Sequence, residues 1–192
     1  MEQQGIRRVW LTPHIMEDIP NETLALQRKF RELLQQYRGA VELKLAAEYM
    51  LDNLFEERLE KEDLLLLEEG KRFLLVETSY FNPPMDLLSV LQRIQKKGYY
   101  PLLAHPERYE YMQKEDYNTL KEEHISFQLN LPSLAGMYGK HVQKKAEDLL
   151  KAGMYDRMGG DTHSCRRYQQ MLFSSIKHNQ TKLLDGVNAN TL

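Results

Sequence analysis

The chain alternates between short apolar runs and longer amphipathic stretches that are rich in charge. The short runs have the length of buried strands, and the longer stretches carry apolar residues at helical spacing. Strands that alternate with helices predict an α/β protein with a parallel sheet or barrel. The predicted strands are Val9–Leu11, Val41–Ala47, Phe73–Val76, Leu102–Ala104, Ile125–Leu131 and Met154–Met158.

Proline, asparagine and glycine residues mark the ends of the predicted helices. No low-complexity segment or linker divides the chain, so residues 1–192 are predicted to form a single domain with a substantial core. The run Leu64–Leu67 resembles a strand, although it lies in a helical stretch. The helices are expected within Pro20–Gly39, Asp52–Glu69, Pro83–Gly98, Glu115–Glu123 and Tyr168–Lys182, with another through Val142–Leu150 that ends at Gly153.

Composition and charge exclude several classes of partner. The formal net charge is −2, so no global basic field attracts nucleic acid or anionic lipid. No stretch approaches the roughly 20 apolar residues that span a bilayer, and the opening MEQQGIRR has no apolar signal core. The single cysteine, Cys165, has no internal disulfide partner, which favours a cytoplasmic location.

Residue types that bind divalent metals stand at the ends of these apolar runs. In parallel α/β folds, functional sites lie at the carboxyl ends of the strands. A single histidine or carboxylate there is usually a solvated loop residue, but imidazole and carboxylate ligands together suit Mn, Fe, Zn or Mg. The predicted metal set is His14, Glu48, Glu77, His105, Asp161 and His163.

Arginine side chains near these strand ends can bind an anion. Arg108 follows the fourth strand closely, and its guanidinium is shaped for bidentate contact with phosphate. The alternative for Arg108 is a surface salt bridge with Glu107 or Glu110. Arg166 and Arg167, which follow the last strand end, can contact the same anion.

A cysteine-based or nucleotide-based reaction has little support. Cysteine-dependent phosphatases carry an arginine six residues after the nucleophile, whereas Met171 stands six residues after Cys165. A dyad of Cys165 with His163 is conceivable, but nothing else in the chain supports it. The chain also contains no GxxxxGK[ST] motif and no glycine-rich dinucleotide turn.

Five short motifs carry a family resemblance over nearly the whole chain. They resemble, in order and spacing, those of the polymerase-and-histidinol-phosphatase (PHP) superfamily. More narrowly, the chain is similar to the manganese-dependent protein-tyrosine phosphatases of bacterial capsular and exopolysaccharide operons. The AHPERY motif is the most specific. The motifs are TPH at Thr12–His14, AEY at Ala47–Tyr49, VETS at Val76–Ser79, AHPERY at Ala104–Tyr109 and GDTH at Gly160–His163.

The resemblance implies a distorted (β/α)7 PHP-type barrel with a cluster of two or three metal ions. The expected metal is Mn²⁺, with Fe, Mg or Zn as alternatives. Arg108 would bind the phosphate, together with Arg167, which fits the family register better than Arg166. In the implied ligand set, Glu48 bridges metals, Glu77 and His105 hold one ion, Asp161 another, and His14 and His163 a third.

The implied activity is cytoplasmic, metal-dependent hydrolysis of phosphotyrosine on protein, with a metal-activated hydroxide attacking the phosphate. The implied substrate is the phosphorylated tyrosine-rich tail of a cognate bacterial tyrosine kinase that controls capsular or exopolysaccharide synthesis. A small-molecule phosphomonoesterase, such as a histidinol phosphatase, is the alternative within the same fold.

The chain departs from the family at its start. The family begins with a strand that carries an HxH pair, followed by an acidic loop, and no HxH occurs in this sequence. The resemblance therefore implies an N-terminally incomplete chain whose barrel lacks its first strand. Weaker metal binding and unpaired strand edges would follow, and such edges favour homo-oligomers. A catalytically impaired regulatory or binding protein is the corresponding alternative.

Overall fold

The computed structural model describes residues 6–164 and, beyond them, the single positions 166, 169, 184 and 187. It is a mixed α/β structure of eight strands, six helices and two short 3-10 turns, which lie at Glu69–Lys71 and Pro106–Arg108 within the described residues. The strands and helices are β1 (Arg8–Leu11), β2 (His14–Ile15), α1 (Thr23–Gln36), β3 (Glu42–Leu45), β4 (Glu48–Met50), α2 (Asn53–Lys61), β5 (Phe73–Glu77), α3 (Leu87–Lys96), β6 (Tyr100–Ala104), α4 (Lys114–Glu122), β7 (Ser126–Asn130), α5 (Leu131–Leu134), α6 (Lys140–Lys151) and β8 (Arg157–Gly159).

The chain divides into two compact units. One comprises Met1–Thr78 with Pro84–Pro101, and the other comprises Ser79–Pro83 with Leu102–Leu192. In the first unit, β1 pairs with β3, β2 with β4, and β4 with β5, each in parallel. In the second unit, β6 pairs with β7 and β7 with β8, again in parallel. Parallel neighbours need crossover connections, which the intervening helices provide.

In the first unit, Tyr49 fixes the short strand that carries Glu48. Its ring is fully buried and packs 5.9 Å from the ring of Phe55. Its hydroxyl accepts a hydrogen bond from the backbone N–H of Leu65 at 2.7 Å, and burial raises the pKa of Tyr49 to about 12. Because side chains alternate along a strand, burying Tyr49 on one face directs Glu48 to the other.

The core of the second unit lies around β6 and β7. Leu102, Leu103 and Ala104 are all fully buried, as expected for a parallel strand covered on both faces. Phe127 and Leu129 of β7 are buried as well. This packing ends at His105, where the backbone turns away from the strand with φ of 36°.

Most predicted elements are confirmed, including the helices α1, α4 and α6 and the strands β1, β5, β6 and β7. The glycine that was expected to end α3, Gly98, has a φ of 80°, a left-handed conformation that glycine adopts without strain. The predicted helix Tyr168–Lys182 lies, apart from Gln169, outside the described residues.

The predicted strand Val41–Ala47 is wrong in its extent, because this run forms parts of two strands. Its first part is β3, which pairs with β1, and Glu48 begins β4, which pairs with β2. Between them the backbone N–H of Ala47 donates to the carbonyl of Leu65, so the chain changes its pairing partner there. Glu48 therefore lies within a strand rather than after one.

Other boundaries also differ from the predictions. The helix α3 begins at Leu87 rather than at Pro83-Pro84, because the carboxylate of Asp86 caps it by accepting the N–H of Ser89 at 3.1 Å. The last strand is Arg157–Gly159 rather than Met154–Met158, and the strand β2 and the short helix α5 were not predicted.

Among the described residues, no helix is both long enough and apolar enough to cross a bilayer.

Candidate functional site

In the first unit, His14, Glu48 and Glu77 bring their side chains together. His14 and Glu48 are direct neighbours in the pairing of β2 with β4, and Glu77 ends β5. The Nδ1 atom of His14 lies 2.9 Å from Oε1 of Glu77 and 3.4 Å from Oε2 of Glu48. One ligand atom from each residue lies within 4.8 Å of the others. The structure thus gathers three of the predicted metal ligands.

The geometry and chemistry of this cluster fit a divalent metal. Bonds of about 2.0–2.2 Å to one ion place neighbouring ligand atoms about 2.8–3.6 Å apart in tetrahedral or octahedral arrangements. The two distances from His14 lie in that range. Glu48 and Glu77 are only 6% and 2% exposed, and a divalent cation offsets the cost of burying two carboxylates side by side.

In the second unit, the guanidinium of Arg108 lies in a polar cluster just beyond β6. Its Nη1 donates to Oδ2 of Asp161 at 2.8 Å. Its Cζ lies 4.3 Å from the ring centroid of Tyr80 and 4.2 Å from that of Tyr138. The alternative prediction, a surface salt bridge of Arg108 with Glu107 or Glu110, is wrong, because Arg108 pairs with the carboxylate of Asp161.

Asp161 is the acceptor that this cluster shares. Its Oδ2 also accepts from Nδ2 of Asn130 at 3.0 Å and from the hydroxyl of Tyr138 at 3.2 Å. Its Oδ1 lies 3.4 Å from Nδ1 of His163. The pairing of Asn130 with Gly159 brings these groups together, since Asp161 follows β8 by two residues.

Two of the predicted ligands have unusual backbone conformations. His105 and Asp161 have φ of 36° and 39°, in the left-handed region that residues other than glycine seldom occupy. Such conformations cost free energy and concentrate at functional sites. His105 is buried, and its ring lies 5.7 Å from that of Tyr80 and 5.8 Å from that of Tyr109.

The remaining predicted residues are less enclosed. His163 has half of its side chain exposed, and Arg166 is exposed. Arg167, which was predicted to bind phosphate, lies outside the described residues.

Two other residues of the AHPERY segment, Glu107 and Tyr109, hold the loop that carries Arg108. Glu107 is fully buried and accepts from the N–H of Asn130 at 3.1 Å and from the hydroxyl of Tyr155 at 3.0 Å. Burial raises the pKa of the Glu107 carboxyl. The hydroxyl of Tyr109 donates to the carbonyl of Ala104 at 2.9 Å. These bonds fix the backbone on both sides of Arg108.

Sequence reasoning missed Tyr80 and Tyr138, whose rings lie against the guanidinium of Arg108. Tyr80 follows the VETS motif directly, and Tyr138 lies in the turn between α5 and α6. Neither position has a spacing that indicates contact with an arginine elsewhere in the chain. Asn130 lies within the predicted strand Ile125–Leu131, but no sequence pattern indicates its contact with Asp161.

Lys145 anchors the same loop, and its substitution should destabilise the fold. Its ammonium donates to the carbonyls of Tyr109 at 2.6 Å and Met112 at 3.2 Å. Lys145→Met leaves both carbonyls without this donor, which is expected to lower the free energy of unfolding by about 1–3 kcal/mol. Urea denaturation measures the change.

The neighbouring lysine offers a matched control. Lys144 is 79% exposed, and Lys144→Met is expected to change the free energy of unfolding by less than about 0.5 kcal/mol. Equal effects of the two substitutions would contradict the anchoring role of Lys145.

These features define a mixed α/β protein with a candidate site for a divalent metal. Residues 1–188 match the family model for capsular polysaccharide synthesis, CpsB/CapC, and the chain belongs to this family. The membership confirms the narrower resemblance that the sequence motifs indicated, to a family of capsular polysaccharide synthesis.

Named relatives and a solved structure are similar to the chain. It is 27% identical over 171 residues to tyrosine-protein phosphatase YwqE of Bacillus subtilis (strain 168). This match covers 85% of this chain and 66% of that protein. It is 26% identical over 179 residues to tyrosine-protein phosphatase CpsB of Streptococcus pneumoniae, covering 84% of this chain and 71% of that protein. The chain thus spans about two thirds of the length of these curated relatives.

The fold also matches a crystal structure from a study of YwqE and CpsB, which describes them as unique metal-dependent tyrosine phosphatases. The TM-score is 0.76 with 24% identity, over 97% of this chain and 81% of that chain. The chain therefore shares the fold of that structure.

Proposed function

We propose that this protein is a metal-dependent protein-tyrosine phosphatase that acts in capsular or exopolysaccharide synthesis. The observation that carries the proposal is the cluster of His14, Glu48 and Glu77, whose ligand atoms lie within 4.8 Å of one another. Membership of the CpsB/CapC family and similarity to two proteins named tyrosine phosphatases support it.

The proposed metal ligands also include residues that the family resemblance implies. His105, Asp161 and His163 are the further ligands, and Mn²⁺ is the expected metal, with two or three ions in a (β/α)7 PHP-type domain over residues 1–192. A bound ion supplies Lewis acidity, which polarises a phosphoryl oxygen and lowers the pKa of a water molecule.

Arg108 is the proposed phosphate-binding residue, with Arg167 as a second candidate. The Arg108 guanidinium has parallel N–H donors that match two phosphate oxygens. Charge builds on these oxygens during transfer, so fixed donors stabilise the transition state more than the substrate. Tyrosine, whose hydroxyl has a pKa of about 10, is a moderately good leaving group and needs little proton donation.

The proposed substrate is the phosphorylated tyrosine-rich tail of a cognate bacterial tyrosine kinase, encountered in the cytoplasm. Aromatic side chains beside Arg108, namely Tyr80 and Tyr138, are compatible with a substrate that presents a ring next to its phosphate.

The full chain loaded with Mn²⁺ tests the proposal. It is expected to release phosphate from a phosphotyrosyl peptide, to lose this activity with a chelator, and to recover it when Mn²⁺ is restored. A phosphoseryl peptide of the same sequence is the control substrate. Faster turnover of histidinol phosphate than of the peptide would indicate a small-molecule phosphomonoesterase instead. Bound Mn²⁺ without turnover of any ester would indicate a binding or regulatory protein.

A further inference from the structure

Two tyrosine rings lie against the Arg108 guanidinium. The Cζ atom lies 4.3 Å from the centroid of Tyr80 and 4.2 Å from that of Tyr138, and the side chain is 14% exposed. The faces of a guanidinium are weakly hydrated and stack on aromatic rings, whereas its N–H donors all lie in its plane. A guanidinium that packs against aromatic rings therefore keeps its N–H donors for polar partners.

The two rings are themselves held in place. The hydroxyl of Tyr138 donates to the same Oδ2 atom of Asp161 that accepts from Arg108. The ring of Tyr80 stacks on that of Tyr109 at 6.3 Å, and its carbonyl accepts the N–H of Glu110 at 2.8 Å. Each tyrosine thus links the guanidinium to a fixed part of the second unit.

We propose that Tyr80 and Tyr138 are positioning residues that hold the Arg108 guanidinium in the plane in which it binds phosphate. An unrestrained arginine loses much rotamer freedom when it makes a bidentate contact, and a stacked arginine has already lost it. The rings also prevent rotation out of the plane, which would break one of the two parallel N–H···O bonds. The proposal rests on the proposed function, because it takes phosphate as the anion that Arg108 binds.

Binding of inorganic phosphate to the Mn²⁺-loaded full chain, measured by calorimetry, tests the role of the rings. Tyr80→Leu and Tyr138→Leu remove the aromatic faces, and each is expected to raise the phosphate dissociation constant about five- to 30-fold. Tyr80→Phe keeps the aromatic face and is expected to raise the dissociation constant by less than about threefold. Tyr138→Phe keeps the face but loses the hydrogen bond to Asp161, so its loss of affinity is expected to be smaller than that of Tyr138→Leu. Equal losses in the leucine and phenylalanine variants would overturn the proposal.

A double-mutant cycle shows whether the rings act through Arg108. In an Arg108→Met background, the leucine substitutions are expected to cause no further loss of phosphate affinity. If the leucine substitutions weaken phosphate binding by the same factor in the Arg108→Met background as in the wild-type background, the proposal is overturned. If Arg108→Met alone leaves phosphate binding unchanged, the phosphate role of Arg108 in the proposed function fails. If it weakens binding while the leucine variants do not, only the positioning role fails.

A measurement on the unaltered protein avoids any dependence on how the variants fold. Hindered rotation of the Arg108 guanidinium is expected to give separate Nη signals in nitrogen-15 NMR spectra. Arg28, whose side chain is exposed, is the reference, and its signals are expected to be averaged. Equally free rotation of Arg108 and Arg28 would overturn the proposal without any substitution.

Discussion

Glu77→Gln is expected to weaken Mn²⁺ binding by about 100-fold or more and to lower kcat/KM by about 1,000-fold. Glutamine keeps the shape of the side chain but removes the charge. The Glu77 carboxylate is 2% exposed and lies 2.9 Å from Nδ1 of His14, so water cannot readily replace it as a ligand. Residues that merely hydrogen-bond to metal ligands already contribute about 10–100-fold to affinity, and a direct ligand contributes more.

Two measurements separate the loss of metal from a loss of fold. Calorimetric titration with Mn²⁺ gives the affinity, and the rise in melting temperature on adding Mn²⁺ reports binding to the folded state alone. Both are expected to fall in Glu77→Gln, while the melting temperature without metal shows whether the variant is folded.

Glu42→Gln is the matched control for this substitution. Glu42 is 44% exposed in β3, and its carboxylate pairs with Lys44 at 2.7 Å and with Arg8. Loss of such surface pairs has little effect on stability, and metal affinity is expected to stay at the wild-type value. A Glu77→Gln protein that still binds Mn²⁺ with wild-type affinity would remove Glu77 from the ligand set.

The candidate ligands His14, Glu48 and Glu77 could be selected from sequence because each lies at or near the end of an apolar run. Functional sites in parallel α/β folds lie at the carboxyl ends of the strands, and a pattern of apolar residues predicts the positions of these ends well. The local detail was less predictable. His14 and Glu48 belong to strands of two and three residues, which are too short to produce a pattern of their own.

The partners of Arg108 could not be predicted from local pattern. Asp161 lies 53 positions away in sequence, and its contact with Arg108 depends on the pairing of β7 with β8. Tyr80 and Tyr138 approach the guanidinium through irregular segments, where no period of apolar residues exists. The sequence indicates that Arg108 can bind phosphate, but the residues that surround its guanidinium depend on the three-dimensional packing.

The start of α3 shows how a local signal can mislead. Two prolines suggested a helix start at Pro83-Pro84, yet the cap is Asp86, three residues beyond Pro83. Both proline and a capping acid are typical of helix starts, and the hydrogen bond from Ser89 to Asp86 decides between them.

Arg108→Lys is expected to lower kcat/KM by about 100-fold and Arg108→Ala by about 1,000-fold, with Mn²⁺ affinity within about threefold of wild type. Lysine keeps the charge but has no planar set of N–H donors and no flat group to pack against Tyr80 and Tyr138. The loss should therefore be large even though the charge is retained. Steady-state hydrolysis of a phosphotyrosyl peptide gives the rate, and calorimetry gives the metal affinity.

The same experiment distinguishes a phosphate-binding arginine from one that only neutralises Asp161. Asp161 lies 2.8 Å from Nη1 of Arg108, and a lysine ammonium can still neutralise its carboxylate. If neutralisation were the whole role, Arg108→Lys would retain nearly full activity and Arg108→Ala would change stability or metal affinity. Arg93→Ala, which removes an exposed arginine that pairs with Glu56, is the control and is expected to leave kcat/KM unchanged. A large loss in both Arg108 variants with unaltered metal binding would locate the effect in phosphate recognition, because only that step requires the planar guanidinium.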